Sequence, residues 1–277
     1  FRASQGSGFR APNLFELHTG EVLGTIKFEG ATYSFKKSGN LNLKAETSEN
    51  MSVGSVIDIT DNLTLTLDYW KIDIDNMISQ LSIDTILTFK DANENLVYKD
   101  LITYDTQGNI SLVNIPFLNI DCLTSEGVDF ILRWNISQSI EWRLEASHLI
   151  KLEQKDGAIK ETEDFSGEYT YPRKKINTSI IWSQGNLNQS LSSYYISSHG
   201  TQHEEVKSHL RLNYQLGYQI DQHLVSFKIN NLMDQEPPNN RSVMQPDGSQ
   251  HGTWPYYEQR MYSPLGRYYS LQWRYAF

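Results

Sequence analysis

The sequence predicts an all-β protein: a segment of an antiparallel, up-and-down β-barrel that crosses a membrane. Three observations predict this class. Apolar and polar side chains alternate along about ten segments, the connections between these segments switch between short and long, and aromatic side chains recur beside the short turns. Because successive strand side chains point to opposite faces, alternation gives each strand one apolar and one polar face. In a membrane barrel these faces contact lipid and a wet lumen.

The clearest alternation lies in the last stretch of the chain. Its apolar face is largely aromatic, and its polar face carries Ser270, Gln272 and Arg274. The terminal strand of a soluble sandwich more often runs out into a few frayed polar residues. The apolar set of this strand consists of Tyr269, Leu271, Trp273, Tyr275 and Phe277.

Composition narrows the class further. Hydrophobic residues make up 39% of the 277 residues and mean hydropathy is -0.50, which together with the absence of a long apolar run excludes a helical membrane protein. A net charge of -9 argues against a nucleic-acid partner. The single cysteine, Cys122, excludes a disulfide framework and a cysteine-rich metal site. No composition shift divides the chain, so we interpret residues 1–277 as one domain.

The first half of the chain contains five predicted strands. Residues 1–9 form the end of a strand, and the long connection 10–45 that follows holds one helical turn near Pro12. Strand two, 46–59, turns at 60–62 into strand three, where Leu63, Leu65 and Leu67 alternate with threonines. After a long connection, 79–121, strand four follows, with the apolar set Val128, Phe130, Leu132 and Trp134. A short turn at 135–139 leads to strand five at 140–147.

The second half contributes five more strands. A charged connection, 153–171, precedes strand six at 176–182, and a turn at 184–186 leads to strand seven, which ends at Ile196. After a loop at 199–205, strand eight covers 210–218, and a turn at 221–223 joins it to strand nine at 225–229. The final loop, 233–261, precedes the terminal strand. The chain begins at Phe1 in mid-strand without a signal peptide, so we expect it to be a piece of a longer protein.

Connection lengths and aromatic positions support the membrane interpretation over a secreted β-sandwich or propeller that binds carbohydrate. Short turns near residues 61, 137, 185 and 221 alternate with mostly long connections, as expected when one barrel rim carries tight turns and the other carries loops. A soluble barrel has no reason to place tryptophan beside alternate turns. We therefore predict a membrane-interface girdle of Trp134, Trp142, Trp182, Tyr218 and Tyr275.

Three stretches resemble motifs of TonB-dependent outer-membrane receptors. Gly-Phe-Arg-Ala-Pro at residues 8–12 matches a loop motif of that family very closely. Residues 39–46 resemble its Gly-Asn-X-Asn-Leu-Lys-Pro-Glu motif, with Ala45 where proline is usual. Residues 230–237 resemble its Asn-Leu-Phe-Asp segment, with Met233 in place of phenylalanine. The terminal Gly-Arg-Tyr at 266–268 and the final Phe277 complete the pattern. These stretches follow the order and spacing of the family and extend over essentially the whole chain.

This resemblance implies a barrel of about 22 strands with a plugged lumen, of which this chain supplies about the last ten. The plug domain and the region that contacts TonB are absent from the sequence. The implied function is TonB-energised uptake of a scarce solute, first of all a ferric siderophore, across the outer membrane of a Gram-negative bacterium, with iron present only inside the transported chelate. Phe277 resembles the signal read by the barrel-assembly machinery. A passive outer-membrane channel is the alternative within membrane barrels.

Candidate sites lie in two loops and on the polar strand faces. The loop residues mix cations with aromatic rings, a combination suited to aryl chelates or sugars, although the rings could instead fold the loops together. We predict ligand contacts from Arg10, Tyr33, Phe35, Arg241, His251, Trp254, Tyr256, Tyr257 and Arg260. We predict a lumen-facing ladder of ion pairs from Arg133, Glu141, Arg143, Glu145, Arg211 and Arg274.

No catalytic pattern is present, so an enzyme is the weakest hypothesis. The sequence has no nucleophile elbow, and His203-Glu-Glu-Val-Lys207 lacks the second histidine of a zinc-protease helix. His199, His203 and His251 could share a metal only if their loops brought them together. We interpret them as exposed loop histidines and predict no metal site.

Overall fold

A single antiparallel sheet dominates the computed structural model, which describes residues 1–91, 93–156, 162–168, 170–200, 205–238 and 257–276. Within these ranges ten long strands follow one another in chain order across the sheet. They are β1 (Arg2–Arg10), β4 (Glu46–Thr60), β5 (Leu63–Ser79), β8 (Leu118–Ser137), β9 (Ile140–Asp156), β11 (Lys174–Gln184), β12 (Leu187–Ile196), β13 (His209–Ile220), β14 (His223–Asn230) and β15 (Tyr268–Tyr275).

Neighbouring long strands pair antiparallel throughout, and the predicted meander is confirmed. The short connections at 61–62, 138–139, 185–186 and 221–222 join consecutive strands at one end of the sheet. The long connections leave from the other end. A short strand, β10 (Thr162–Asp164), extends the sheet beside β9. Strands β1 and β15 form the two edges, so the sheet is open within the described residues.

The pairing register separates an apolar face from a polar face. Residues opposite each other on neighbouring strands share a face, and the chain of partners Leu65, Leu132 and Leu144 runs along the apolar one. In the adjacent chain of partners, Arg133 faces Arg143, and Arg143 faces Ser179 on the polar side. Many apolar-face side chains are solvent-exposed, including Ile180 at 42%, Tyr218 at 47% and Leu271 at 75%. No second layer covers this face in the described part of the chain.

A second, smaller sheet is built from the long connections. It consists of β2 (Val22–Phe28), β3 (Ala31–Ser38), β7 (Ile110–Pro116) and β6 (Ile102–Tyr104), in the order β2-β3-β7-β6. A hairpin joins β2 to β3 through Glu29 and Gly30, both at positive φ, as a tight two-residue turn requires. Strand β3 then pairs in parallel with β7, from Phe35 opposite Val113 to Ser38 opposite Pro116.

This second sheet, together with α2 (Ile83–Thr88) and a 3₁₀ turn at Lys99–Leu101, forms a loop module with its own hydrophobic core. Ile86 and Val113 are completely buried. The core of the loop module comprises Leu81, Ile83, Ile86, Ile102, Val113 and Ile115. The apolar side chains of the long strands lack such cover, so most close packing in the described chain lies in this module.

The predicted connections 10–45 and 79–121 contain the four strands of the second sheet, which the sequence analysis did not predict. The helical turn near Pro12 is present as α1 (Leu14–His18), but the β2–β3 hairpin was missed. Strand β8 begins at Leu118, inside the predicted connection 79–121, and β9 runs on to Asp156, inside the predicted connection 153–171. The polar residues of these extensions suggested loops, whereas pairing with neighbouring strands holds them extended. Among the described residues, no helix is long and apolar enough to cross a membrane.

Candidate functional site

The candidate site is the end of the main sheet from which the long connections leave. An antiparallel meander brings these connections to one end, since each pair of strands is joined by a short turn at the other. Of the predicted ligand residues, Arg10, Tyr33 and Phe35 lie in the first connection, and Tyr257 and Arg260 lie in the last. Four further predicted contacts lie outside the described residues: Arg241, His251, Trp254 and Tyr256.

Arg10 is held between two carboxylates. Its Nε and Nη2 atoms donate to the two oxygens of Glu46, each at 2.6 Å, and its Nη1 atom donates to Glu16 Oε1 at 3.0 Å. Glu46 also accepts the backbone N–H of Ile78 at 2.8 Å. The guanidinium therefore joins the end of β1, helix α1 and the start of β4. We call Arg10, Glu16 and Glu46 the arginine clamp.

The clamp shifts the pKa of Arg10 and of Glu46. The hydrogen bonds from Arg10 lower the pKa of Glu46 from its ordinary value, and Glu46 and Glu16 raise the pKa of Arg10. Glu46 is the first residue of β4, at the end of the strand far from the short turn. Roughly ten strand residues suffice to span a bilayer, so Glu46 lies outside such a span counted from the turn. The positive charge of Arg10 is thus matched by two carboxylates. Its predicted contact with a ligand remains a prediction, while its observed role is structural.

Two of the motifs recognised in the sequence interlock around the clamp. Asn13 caps α1 by accepting the backbone N–H of Glu16 at 2.9 Å, and the Glu16 carboxylate accepts the backbone N–H of Asn13 at 2.8 Å, which completes a capping box. Asn40 donates its backbone N–H to the Glu16 carbonyl at 2.9 Å. A Cβ on Gly39 would lie 2.6 Å from the Leu17 carbonyl oxygen. Only glycine permits this approach, so the second motif packs directly on α1.

Sequence reasoning missed the carboxylates of the clamp as functional partners. The Asn13-x-x-Glu16 spacing is a capping-box signal that the sequence displays openly. Glu46 is harder to find, because its pairing with Arg10 depends on the register of β1 against β4, in which the two residues lie opposite each other.

Tyr33 and Phe35 lie on β3, half-buried against the core of the loop module. Phe28 contacts the Tyr33 ring with centroids 6.5 Å apart, and Lys37 Nζ lies 5.8 Å from the Phe35 centroid. These rings therefore help to fold the loops. The sequence analysis had left this open as the alternative to ligand contact. A role in ligand contact stays a prediction for both.

The last connection packs back onto the sheet through Tyr262. Its hydroxyl lies 3.0 Å from His199 Nε2, the two rings stack at 8° to each other, and His209 meets the same tyrosine edge-on at 5.2 Å. His199 is 3% exposed, so its interpretation as an exposed loop histidine is wrong. Burial lowers the pKa of His199, which favours the neutral ring. Tyr257 is half-buried and Arg260 exposed on this segment, where Arg260 Nε pairs with Glu258 at 3.2 Å.

The six residues predicted to face the lumen share the polar face of the sheet. Glu141 and Arg143 form an ion pair at 2.5 Å, but Arg133 lies opposite Arg143, and Glu145 lies between Ile131 and Asn177. Within the described residues the other four predicted lumen residues form no ion pair. One ion pair is therefore observed where a ladder of pairs was predicted. The register explains this, because it places like charges or neutral residues beside most of them. The full set is Arg133, Glu141, Arg143, Glu145, Arg211 and Arg274.

The residues predicted to form the girdle lie on the apolar face beside the short turns. Trp134 and Trp142 are direct partners with ring centroids 6.2 Å apart. Trp182 lies 6.3 Å from Tyr214, and Tyr275 lies 4.9 Å from His223. Trp142 Nε1 donates to Thr178 Oγ1 at 2.7 Å. Tyr218 is 47% exposed beside the turn at 221–222. Their contact with lipid stays a prediction, and Phe277 lies outside the described residues.

The chain matches known proteins both in sequence and in fold. Residues 1–232 match the family model described as TonB dependent receptor-like, beta-barrel. A mutant of the ferric enterobactin receptor PfeA from Pseudomonas aeruginosa is 18% identical with a TM-score of 0.69, over 97% of this chain and 37% of that one. The siderophore receptor PirA from Acinetobacter baumannii is 15% identical with a TM-score of 0.69, over 99% of this chain and 38% of that one.

The extent of these matches defines what is shared. The chain spans 37% and 38% of the length of the two receptors. At identities of 18% and 15%, the likeness shows a common fold. No curated protein sequence matches the chain significantly.

Proposed function

Since the chain belongs to the TonB-dependent receptor β-barrel family, we propose that it supplies barrel wall and loops to an outer-membrane receptor that imports a ferric siderophore. Proteins of this family are receptors. In this proposal the apolar sheet face contacts lipid of the bacterial outer membrane, and the polar face lines the lumen. TonB and the barrel-assembly machinery are its protein partners. The functional partners are the solute, lipid and these proteins, with no nucleic acid.

The observation that carries the proposal is the exposed apolar face of the sheet. Ile180, Leu191 and Leu271 expose 42%, 37% and 75% of their surface on it. A soluble protein rarely leaves so continuous an apolar surface uncovered, because contact of apolar area with water is unfavourable. A bilayer removes that cost over the part of each strand that it surrounds. The aromatic residues beside the short turns then lie where a membrane interface favours them.

The choice of a ferric siderophore as solute has two supports. Solved structures of similar fold include receptors whose names specify ferric enterobactin or a siderophore. The last connection of this chain also combines cationic and aromatic residues, which suit the negative charge and the aryl rings of a ferric aryl chelate. The other solutes to be compared are cobalamin, haem and oligosaccharides.

The test uses the full-length receptor in liposomes. It is titrated with a ferric tris-catecholate, a ferric tris-hydroxamate, cobalamin, haem and a malto-oligosaccharide while tryptophan fluorescence is followed. We expect saturable quenching by one ferric chelate. Trp254→Ala should weaken it, whereas the matched variant Trp182→Phe, on the apolar face, should bind as the native receptor does. Absence of any saturable response, together with passive leakage of small solutes, would instead identify a diffusion channel.

A further inference from the structure

Two buried histidines and a buried tyrosine join the last connection to the main sheet. Tyr262 is 4% exposed and belongs to the described part of that connection, residues 257–267, which leads into β15. His199 follows β12, and His209 begins β13. The Tyr262 ring stacks on the His199 ring with centroids 6.4 Å apart, and the His209 ring meets it edge-on at 5.2 Å. We call His199, His209 and Tyr262 the histidine latch.

The two histidines are held in place by the backbone around them. His209 lies opposite Ile196, which is completely buried. The backbone N–H of His199 donates to the Val206 carbonyl at 3.1 Å, and the backbone N–H of Val206 donates to the His199 carbonyl at 2.7 Å. The two imidazoles therefore form a fixed seat, and the tyrosine docks into it.

Tyr262 anchors a compact turn that carries two of the predicted ligand contacts. The backbone N–H groups of Met261 and Tyr262 both donate to the Glu258 carbonyl, at 3.1 and 3.0 Å, so the turn moves as one unit. Tyr257 precedes this turn, and Arg260 lies within it. The docking of one tyrosine ring thus determines where the Tyr257 ring and the Arg260 guanidinium lie.

The surroundings of the latch disfavour charged imidazoles. Burial is the main cause that lowers the pKa of His199 and of His209. Lys175 lowers the pKa of His199 further and Glu258 opposes it, while Arg211 lowers the pKa of His209 further. Within the described residues cations outnumber carboxylates around the latch. The charged groups are Lys175 of β11, Arg211 of β13 and Glu258 of the turn, together with Arg173, Lys174 and Glu205, which border a depression beside His199.

Both histidines contact the same aromatic ring, which adds a second reason. A single imidazolium could be stabilised by the Tyr262 ring, because a cation is attracted to an aromatic face. Two imidazoliums at one ring would repel each other. At acid pH the docked arrangement is therefore less favourable than one in which the tyrosine leaves and water reaches both imidazoles.

We propose that the histidine latch is a pH-sensitive switch, in which neutral histidines hold the turn against the sheet and protonation of both releases it. Release moves Tyr257 and Arg260 away from their docked positions. The switch goes beyond the proposed function, because it concerns the docking of the turn and requires no solute.

The size of the response follows from the coupling of docking to protonation. In the released state water reaches each imidazole, which then titrates near its ordinary pKa of 6.5. In the docked state the pKa is lower, so docking is complete above pH 6.5 and weakens as pH falls toward the lowered values. From pH 7.5 to 5.5, release should increase about tenfold for each histidine that stays neutral while docked, or about a hundredfold for both.

The experiment follows the turn by electron paramagnetic resonance in the full-length receptor, reconstituted in a bilayer without solute. A nitroxide label is attached at Gln259→Cys, an exposed position of the turn, after all native cysteines, including Cys122, have been replaced. The ratio of mobile to immobilised label is measured between pH 7.5 and 5.5. The arginine clamp stays intact over this range, because it weakens only below pH 4.5. We expect the ratio to rise about tenfold to a hundredfold, whereas Tyr262→Ala should give mobile label at both pH values.

Two variants remove the titrating groups but keep a side chain in the seat. His209→Phe keeps a ring edge-on to Tyr262, and His199→Gln keeps a hydrogen-bonding group near the tyrosine hydroxyl. Each should reduce the rise about tenfold, and the double variant should keep the label immobilised at pH 5.5. His209→Phe also tests the switch on its own, since it preserves the packing of the tyrosine ring. The matched control is His18→Gln, at an exposed histidine that ends α1, and it should retain the full response.

The outcomes separate the switch from the proposed function. A label whose mobility is the same at pH 7.5 and 5.5 would refute the switch. A full response that persists in both His209→Phe and His199→Gln would also refute it, since other groups would then control the turn. Failure of the fluorescence titration with every solute would refute the proposed function and leave the switch untouched.

Discussion

Replacing Arg10 with alanine should release helix α1 from the barrel wall. The substitution removes the two 2.6 Å hydrogen bonds to Glu46 and the 3.0 Å bond to Glu16. It leaves two carboxylates, of which Glu16 is 8% exposed, without their cation. Glu46 retains the backbone N–H of Ile78, and Glu16 retains its capping bond to Asn13. The loss is therefore that of a partly buried, bidentate ion pair rather than of the entire junction.

The magnitude follows from burial. Breaking a buried ion pair by removing one partner costs about 3–5 kcal/mol, whereas an exposed pair contributes about 0–1 kcal/mol. The Arg10 side chain is 45% exposed, and those of Glu16 and Glu46 are 10% and 13% exposed. Water screens one side of the clamp, so we expect a loss of about 2 kcal/mol. Such a loss raises the open population of this junction about thirtyfold.

Amide hydrogen exchange in the full-length receptor measures this opening. The reporting amides are those of Leu17, bonded to the Asn13 carbonyl, and Asn40, bonded to the Glu16 carbonyl. Both should exchange about thirtyfold faster in Arg10→Ala, while amides of β13 should not change. The matched control is Lys36→Ala, which breaks the Lys36–Glu21 pair in the same loop, where Glu21 is 64% exposed. Equal exchange in Arg10→Ala and Lys36→Ala would refute the clamp.

Four other predictions concern stability and insertion. Because Arg10 lowers the pKa of Glu46 below its ordinary 4.5, the clamp contributes fully above pH 4.5 and is lost as pH falls through the lowered value, so protection of Leu17 should drop at acid pH. Gly54→Ala places a methyl group against the Asp68 carboxylate that pairs with Arg2, and chemical denaturation should show a loss of about 1–3 kcal/mol that the control Gly6→Ala, facing open space, does not show. Ile86→Ala should cost about 3 kcal/mol and speed amide exchange in β7 but not in β12, since Ile86 is completely buried in the loop module. Leu191→Arg on the apolar face should destabilise the inserted receptor by about 2–4 kcal/mol. The control Ser192→Arg, on the polar face, should fold normally, as heat-modifiability gels would show. Equal behaviour of the two variants would contradict the assignment of the faces.

The ten long strands could be predicted because their pattern is local. Alternation from Leu63 to Tyr69 requires only neighbouring residues to be read, and each short turn marks where the direction reverses. The start of β8 at Leu118 could not be read this way and was assigned to the connection 79–121. Asn119 and Asp121 are typical of loops, and this segment is extended because it pairs with Ile78 and Met77 of β5.

The loop module could not be predicted from local alternation, for a different reason. Strand β3 pairs with β7 in parallel, with Phe35 opposite Val113, and nothing near either residue specifies a partner so distant in sequence. The β2–β3 hairpin did leave a signal, since Tyr33 and Phe35 alternate after the Glu29-Gly30 turn. The same distinction holds at the candidate site. The capping box of Asn13 and Glu16 is local, whereas the pairing of Arg10 with Glu46 depends on strand register.

The most direct test of the central claim is a scan of solvent accessibility along β12 in the full-length receptor. Single spin labels are placed from residue 188 to 195 in a cysteine-free background that includes Cys122→Ser, and the receptor is reconstituted in a bilayer. The alternating faces predict that labels at positions 189, 191, 193 and 195 collide with oxygen dissolved in lipid, and that labels at positions 188, 190, 192 and 194 collide with a water-soluble relaxation agent. Accessibility to the aqueous agent at both sets, or the absence of a two-residue period, would contradict a wall that separates lipid from a lumen.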